Sequence, residues 1–212
     1  MGTSSDNASA ADRLLQELCL DHASDLIASA QRVLDGNGFP NIAYHLAILA
    51  LEEIGKGGMI ASRMAVGAVR DTDWIEKKLD DHVWKLQWAV WSPSLAGGRL
   101  NPKDFEEARR FAQSTHARRL ASLYVNADKN NSAPLPPRDA VSLSQVTSVL
   151  DLARVRLELA GAEGRPIPDG NDEYAKWFLE TTTDPGGSKL LFSKPFVDKH
   201  EEFRGDTRAW VI

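Results

Sequence analysis

The sequence reads His45-Leu-Ala-Ile-Leu-Ala-Leu-Glu52-Glu53-Ile-Gly-Lys56 at the point that decides the fold. At about 100° per residue, four polar side chains fall within about 20° of one line on a helix: His45, Glu52, Lys56 and Arg63. Nearly all other residues from 42 to 69 are apolar or small, which is typical of a mostly buried helix. The charged stripe is therefore either a strip that faces solvent or a polar seam between helices, and the pattern leaves both open.

The composition fits one soluble domain of moderate size. The chain has 212 residues, of which 42% are hydrophobic, and a formal net charge of -5. This acidity argues against general nonspecific binding to nucleic acid, although the segment Arg99–Arg119 carries six basic and three acidic residues, a local charge of +3. No long apolar run and no export signal are visible, so we expect a cytoplasmic protein without a membrane partner. The single cysteine, Cys19, excludes an internal disulfide.

Helical spacing dominates the chain and strand patterns are nearly absent. Apolar periodicity, caps and stop signals predict helices over about 11–34, 40–70, 74–91, 102–125, 142–162 and 171–180, where Ser142 or Ser144 caps the fifth helix. The fold class that follows is all-α, an antiparallel helical bundle with a C-terminal extension.

The same pattern divides the chain into four parts. Residues 1–10 are small and polar and are expected to be disordered, and residues 11–126 form the bundle core. Residues 127–141, rich in Asn and Pro, are a linker, and 142–212 are C-terminal helices and an irregular tail that packs on the bundle.

Small and aromatic residues predict close packing around two of the helices. Gly55, Gly57 and Gly58 allow another backbone to approach the second helix. Tryptophans on more than one side of the third helix indicate more than one neighbour, with a dimer interface as one option: Trp84, Trp88 and Trp91. Cys19 and His22 fall on the apolar stripe of the first helix and are expected in the core.

Histidines and basic residues on the third and fourth helices are the candidates for chemistry. His82 and Lys85 share one face of the third helix, and they are either a surface pair or partners of Glu52 and Glu53. The fourth helix carries Arg109, Arg110, His116 and Arg119, which either mark the edge of the core or point into a shared site. A histidine that transfers protons beside an arginine that stabilises phosphate charge is suited to metal-free RNA cleavage.

Metal and cofactor sites find little support. Di-iron bundles use Glu-x-x-His units, and the chain contains none. A single ion held by Glu52, Glu53 and His82 is the remaining metal alternative, and we assign no metal ligand. No Gly-rich phosphate loop or Ser/His/Asp signature is present, so no cofactor is predicted.

Three segments together resemble the AbiV group of abortive infection proteins, within the HEPN superfamily. These segments are Ala47–Gly57, which contains Glu-Glu-Ile-Gly-Lys, then Asp81–Leu86 and Arg118–Asn126. The resemblance covers about 18–126 and implies a HEPN bundle, commonly a homodimer, in bacterial phage defence. It also implies that, in a catalytic member, Arg109 or Arg110 acts with His116 in a metal-independent endoribonuclease.

Two hypotheses about function therefore stand side by side. In the first, the protein acts on RNA, with His116 as acid or base and Arg109 or Arg110 as phosphate stabiliser. The residues that bind or orient are then Glu52, Glu53, Lys56, His82, Lys85 and Arg119. In the second, the chain is a noncatalytic helical module that binds a phage or host protein through the polar seam.

Overall fold

The structure, a computed structural model, describes residues 3–36, 38–66, 78–96, 102–125 and 136–163. They form five long helices and a short 3₁₀ helix, with no strand within these ranges. The bounds are α1 Thr3–Asp35, α2 Pro40–Val66, α3 His82–Ala96, α4 Pro102–Leu123 and α5 Leu143–Glu163, with the 3₁₀ helix at Pro137–Asp139. The predicted all-α antiparallel bundle is confirmed.

The first and third helices differ from the prediction. α1 begins at Thr3, so the lead-in expected to be disordered over residues 1–10 is helical from Thr3 onward. The predicted third helix is also interrupted: Lys78 and Leu79 are helical, Asp80 is a turn, and α3 begins at His82, where Asp81 Oδ1 accepts the Trp84 backbone N–H at 3.0 Å and caps the helix. The predicted start near 74 lies outside the described residues. The predicted caps at 71–73 lie outside the described residues, as does the predicted helix at 171–180.

α2 lies at the centre of the bundle and packs against each of the other four long helices. Its apolar positions are almost completely buried: Ala43, Tyr44, Ala47, Ile48, Ala50, Leu51, Ile54 and Ile60. α5 contributes Val146, Leu150 and Ala153 to the same core, so the bundle extends past the predicted linker. No helix among the described residues is long and apolar enough to cross a membrane.

The buried face of α1 differs from the predicted stripe. The face that packs inward carries Cys19, Ala23, Ile27 and Ala30, at spacings of four and three residues. Leu18 is 54% exposed and His22 is exposed, because each precedes a buried position by one residue, about 100° around the helix. The prediction that His22 is a core histidine is therefore wrong, whereas Cys19 is buried as expected.

Aromatic rings join α3 to α4. Trp88 and Trp91 meet edge to face with their ring centroids 5.8 Å apart, and Trp91 meets Phe105 of α4 in the same way at 5.0 Å. Trp88 and Trp91 are buried by neighbouring helices of their own chain. These two rings therefore stabilise the packing of α3 within the bundle.

α3 continues through a proline because a distant arginine replaces the missing hydrogen bond. Pro93 has no N–H to donate to the carbonyl of Ala89, four residues earlier. Arg156 of α5 donates its Nε–H to that carbonyl, and its Nη2 donates to Ser92 Oγ at 2.9 Å. The contact satisfies a buried backbone acceptor and explains why α3 runs to Ala96, past the predicted end near 91.

Gly55 sets the distance between α2 and α3. A Cβ at this position would overlap the carbonyl oxygen of Lys85 and lie 3.1 Å from the Ala89 nitrogen. The two backbones therefore touch at a point where only glycine fits, as the sequence predicted. A Cβ at Gly58 would lie 3.1 Å from the Trp88 ring, and one at Gly57 would meet α1 at ordinary contact distance.

Replacing Gly55 by alanine is expected to destabilise the fold. Because the obstacle is backbone, α3 has to shift, and overpacking of this kind costs about 1–3 kcal/mol. Gly161→Ala is the matched control, since a Cβ there meets nothing within 4 Å and alanine is the better helix former by up to about 1 kcal/mol. Urea unfolding of both variants checks the expectation, and equal stability of Gly55→Ala and the natural chain would contradict it.

Candidate functional site

Glu52 is a buried carboxylate in the middle of α2, with only 2% of its surface exposed. Partners from two other helices surround it. From α3, His82 Nδ1 lies 2.7 Å and Lys85 Nζ 3.6 Å from Oε2. From α4, Arg119 Nη1 lies 3.0 Å from Oε1. We name these four residues and His116 of α4 the Glu52 cluster.

Local structure explains why the partners converge. His82 and Lys85 are three residues apart in the first turn of α3, so they share one face of that helix. Because Asp81 caps the helix, α3 begins at His82, so that His82 and Lys85 face Glu52. The backbone contact at Gly55 brings this first turn of α3 close to Glu52. Arg119 reaches the other carboxylate oxygen from the last turns of α4.

The cluster pairs buried charges of opposite sign. Lys85 is 8% and Arg119 6% exposed, and charged side chains are rarely buried this far without partners. Arg119 contacts Oε1 as an ion pair and not as a well-directed hydrogen bond, because Oε1 has no hydrogen-bond donor within the described ranges. The stripe of α2 is thus a polar seam at Glu52 and not a solvent strip.

Two imidazole rings lie at the outer edge of the cluster. His82 and His116 stack with their centroids 5.5 Å apart and an angle of 18° between the rings. The side chain of His82 is 45% exposed, and His116 is half-buried. Arg119 Nη2 lies 3.5 Å from His116 Nδ1. The pair is therefore open to solvent on one side and held by buried charges on the other.

Burial and nearby cations act on two of the histidines. Burial lowers the pKa of His116, Arg119 and His82 lower it further, and Glu52 and Asp81 oppose the shift. Burial also lowers the pKa of His45, with Arg119 acting in the same direction and Glu52 against it. Both rings are therefore neutral at pH 7, and His45 Nδ1 has no hydrogen-bond partner in the described part of the chain.

A family model described as AbiV, of the HEPN group, matches residues 13–158. The chain belongs to the AbiV family of HEPN proteins. The match covers well over half of the chain, contains the whole Glu52 cluster and extends past the resemblance seen in the sequence to include most of α5. No curated protein and no solved structure matches. Membership indicates a role in abortive infection, the bacterial defence against phage.

The structure gathers five of the nine predicted site residues of this AbiV protein. Glu52, His82, Lys85, His116 and Arg119 meet in the cluster. Glu53 and Lys56 instead lie near Cys19 of α1. Burial and then Glu53 raise the pKa of the Cys19 thiol to about 11, while Lys56 acts in the opposite direction.

The metal alternative does not fit this arrangement. Glu52 contacts basic side chains, and Glu53 lies near Cys19, where it raises the pKa of the thiol. The two carboxylates therefore serve different neighbours. No group of three or more potential metal ligands occurs in the part of the chain that the structure describes.

Arg109 and Arg110 lie elsewhere on α4. Both are exposed, and Arg109 precedes His116 by two helical turns, about 10 Å along the axis. The residue in contact with His116 is Arg119, which the sequence placed either at the edge of the core or in a shared site that faces Glu52 and Glu53. The sequence also gave no sign that His82 and His116 stack, since helical phase does not tell which faces of two helices meet.

Replacing Glu52 by glutamine is expected to destabilise this protein strongly. The change leaves Lys85 and Arg119 buried without a counter-charge, and breaking a buried pair in this way costs about 3–5 kcal/mol. Glu107→Gln, at an exposed position of α4, is the matched control and should change stability by less than about 0.5 kcal/mol. Denaturant unfolding at pH 7 tests both variants, and similar losses in the two would contradict the expectation.

The lowered pKa values of His45 and His116 predict a pH-dependent stability. The unfolded chain, with histidine pKa values near 6.5, binds more protons than the folded chain in the window just below that value. Both residues therefore contribute stability at pH 7.5 that is lost as the pH falls through about 6.5. Urea unfolding at pH 7.5 and 5.5 should show this loss, and His45→Gln should reduce it. An unchanged pH dependence in His45→Gln would refute the assignment.

Proposed function

We propose that this AbiV-family protein acts in phage defence as a metal-independent endoribonuclease, with the reaction at the rim formed by His82 and His116. The observation that carries the proposal is the stacked histidine pair, which is open to solvent and lies over a buried charge cluster. Histidine is the commonest proton-transfer residue, and the cluster contacts both rings, His82 through Glu52 and His116 through Arg119.

His116 is suited to act as the base. Its lowered pKa keeps the ring neutral at pH 7, which is the form that accepts a proton. In the proposed step, His116 takes the proton of a ribose 2′-hydroxyl and the 2′-oxygen attacks the adjacent phosphorus. The bond from phosphorus to the 5′-oxygen then breaks, which leaves a 2′,3′-cyclic phosphate and a free 5′-hydroxyl once that oxygen is protonated.

Arg109 and Arg110 are suited to hold the RNA backbone. Lys85 and Arg119 are buried against Glu52, whereas Arg109 and Arg110 are exposed on the helix that carries His116. RNA has a phosphate at every nucleotide, so groups about 10 Å apart on α4 can contact different phosphates of one strand. This local positive charge provides the attraction that the acidic chain as a whole lacks.

A noncatalytic role is the second candidate, and the burial of the charges favours it. Lys85 and Arg119 are both less than 10% exposed, which suits a network that fixes the register of α2, α3 and α4. In that case the rim receives a phage or host protein and no RNA is cut. An RNA cleavage assay separates the two candidates.

Purified protein is expected to cut unstructured RNA in the presence of EDTA. His116→Ala should lower the rate by about 10²- to 10⁴-fold, because general base catalysis is lost. Arg109→Ala/Arg110→Ala should weaken RNA binding and reduce its dependence on salt. The assay measures cleavage and binding of several RNA sequences, with circular dichroism to confirm that each variant is folded.

Arg13→Ala/Arg32→Ala is the matched control for the double arginine variant. It removes the same charge from exposed positions on α1 and should leave cleavage and binding close to those of the natural chain. Intact RNA in every reaction, or full activity of His116→Ala, would reject the proposed activity and leave the noncatalytic module as the better account.

A further inference from the structure

The two stacked imidazoles have neighbours of opposite charge. His82 has a carboxylate against it, at 2.7 Å, whereas His116 has the Arg119 guanidinium beside it, at 3.5 Å. We propose that His82 is the general acid that protonates the leaving 5′-oxygen, and that Glu52 is its positioning residue. This assignment rests on the proposed RNA cleavage and adds a second proton-transfer residue to it.

The contact with Glu52 fixes the ring of His82. The carboxylate between Lys85 and Arg119 serves as a hydrogen-bond acceptor, so His82 Nδ1 donates its N–H to Glu52. Nε2 is the ring nitrogen that is left for a substrate. The side chain of His82 is 45% exposed, while Glu52 remains buried.

The two rings have different charged contacts. His82 is hydrogen-bonded to Glu52 of α2, and the ring of His116 from α4 is stacked on it. Lys85 and Arg119 contact the same carboxylate. At His116, the contacting group is instead a guanidinium, which disfavours the imidazolium. Environments that differ in this way divide acid from base.

With His116 as the base and His82 as the acid, both protons of the proposed step are accounted for. His116 takes the proton from the 2′-hydroxyl, the bond from the 2′-oxygen to phosphorus forms, and the bond from phosphorus to the 5′-oxygen breaks. His82 Nε2 gives its proton to that 5′-oxygen, so the reaction needs no further reactant. Two rings whose centroids are 5.5 Å apart are within reach of a single phosphodiester.

A substrate whose leaving group needs no proton tests whether His82 acts as the general acid. The test uses two oligonucleotides of the same sequence, one with ordinary RNA linkages and one with sulfur in place of the 5′-bridging oxygen at a single site. A thiolate departs without protonation because its pKa is far lower than that of an alcohol. His82→Ala should lower cleavage of the ordinary RNA by at least about 100-fold and that of the sulfur-linked RNA by less than about 10-fold.

Three variants complete the comparison. His116→Ala should lower cleavage of both substrates, because the base is needed for either leaving group. Glu52→Gln should follow His82→Ala in losing more activity on the oxygen-linked substrate, a difference that general loss of structure would not produce. His22→Ala, at an exposed position on α1, should cut both substrates at the natural rate.

The outcomes separate the two proposals. Equal losses on both substrates in His82→Ala, or no loss on either, would overturn the assignment of His82 while the natural chain still cuts RNA. A natural chain that cuts neither substrate would reject the proposed function itself, and the acid assignment with it. Sulfur rescue confined to His82→Ala and Glu52→Gln supports the acid and its positioning residue.

Discussion

A carboxylate buried at the centre of α2 is the constraint on which the rest of the structure depends. Glu52 has almost no contact with water, so its charge must be balanced from neighbouring helices. α3 supplies His82 and Lys85, and α4 supplies Arg119. The requirement fixes which faces of three helices meet, which apolar packing alone would allow to slide by a turn.

Backbone features far from the charges make this pairing possible. Gly55 lets α3 approach α2 closely enough for short contacts to Glu52, and the Asp81 cap sets the phase at which α3 begins. At the other end of α3, Arg156 satisfies the carbonyl that Pro93 cannot reach, so the helix stays regular along its contact with α2. The geometry of the site therefore depends on packing contacts and hydrogen bonds that are spread over most of the bundle.

The sequence predicted α2 and its buried character because a long run of consecutive positions follows one helical period, the clearest of the local patterns. It also indicated Gly55 as a point of close approach. It failed where local detail decides the outcome. One side-chain cap, that of Asp81, makes α3 begin at His82. The pattern assigns His22 to the buried face of α1, but the buried position is the next residue, Ala23. The sequence could not predict that His82 stacks on His116. Helical periodicity gives the direction of a side chain around its own helix, but not which faces of two helices meet.

The same burial that stabilises the Glu52 cluster also limits what each of its members can do. Lys85 and Arg119 are held against the carboxylate and have little surface left for a ligand. Under the proposed function, contact with the RNA therefore falls to the two rings at the rim and to exposed cations such as Arg109. In an acidic chain, a local concentration of cations such as that on α4 is what attracts a polyanion. An RNA strand bound along α4 is then close to His116, and the ring of His82 is stacked on that of His116.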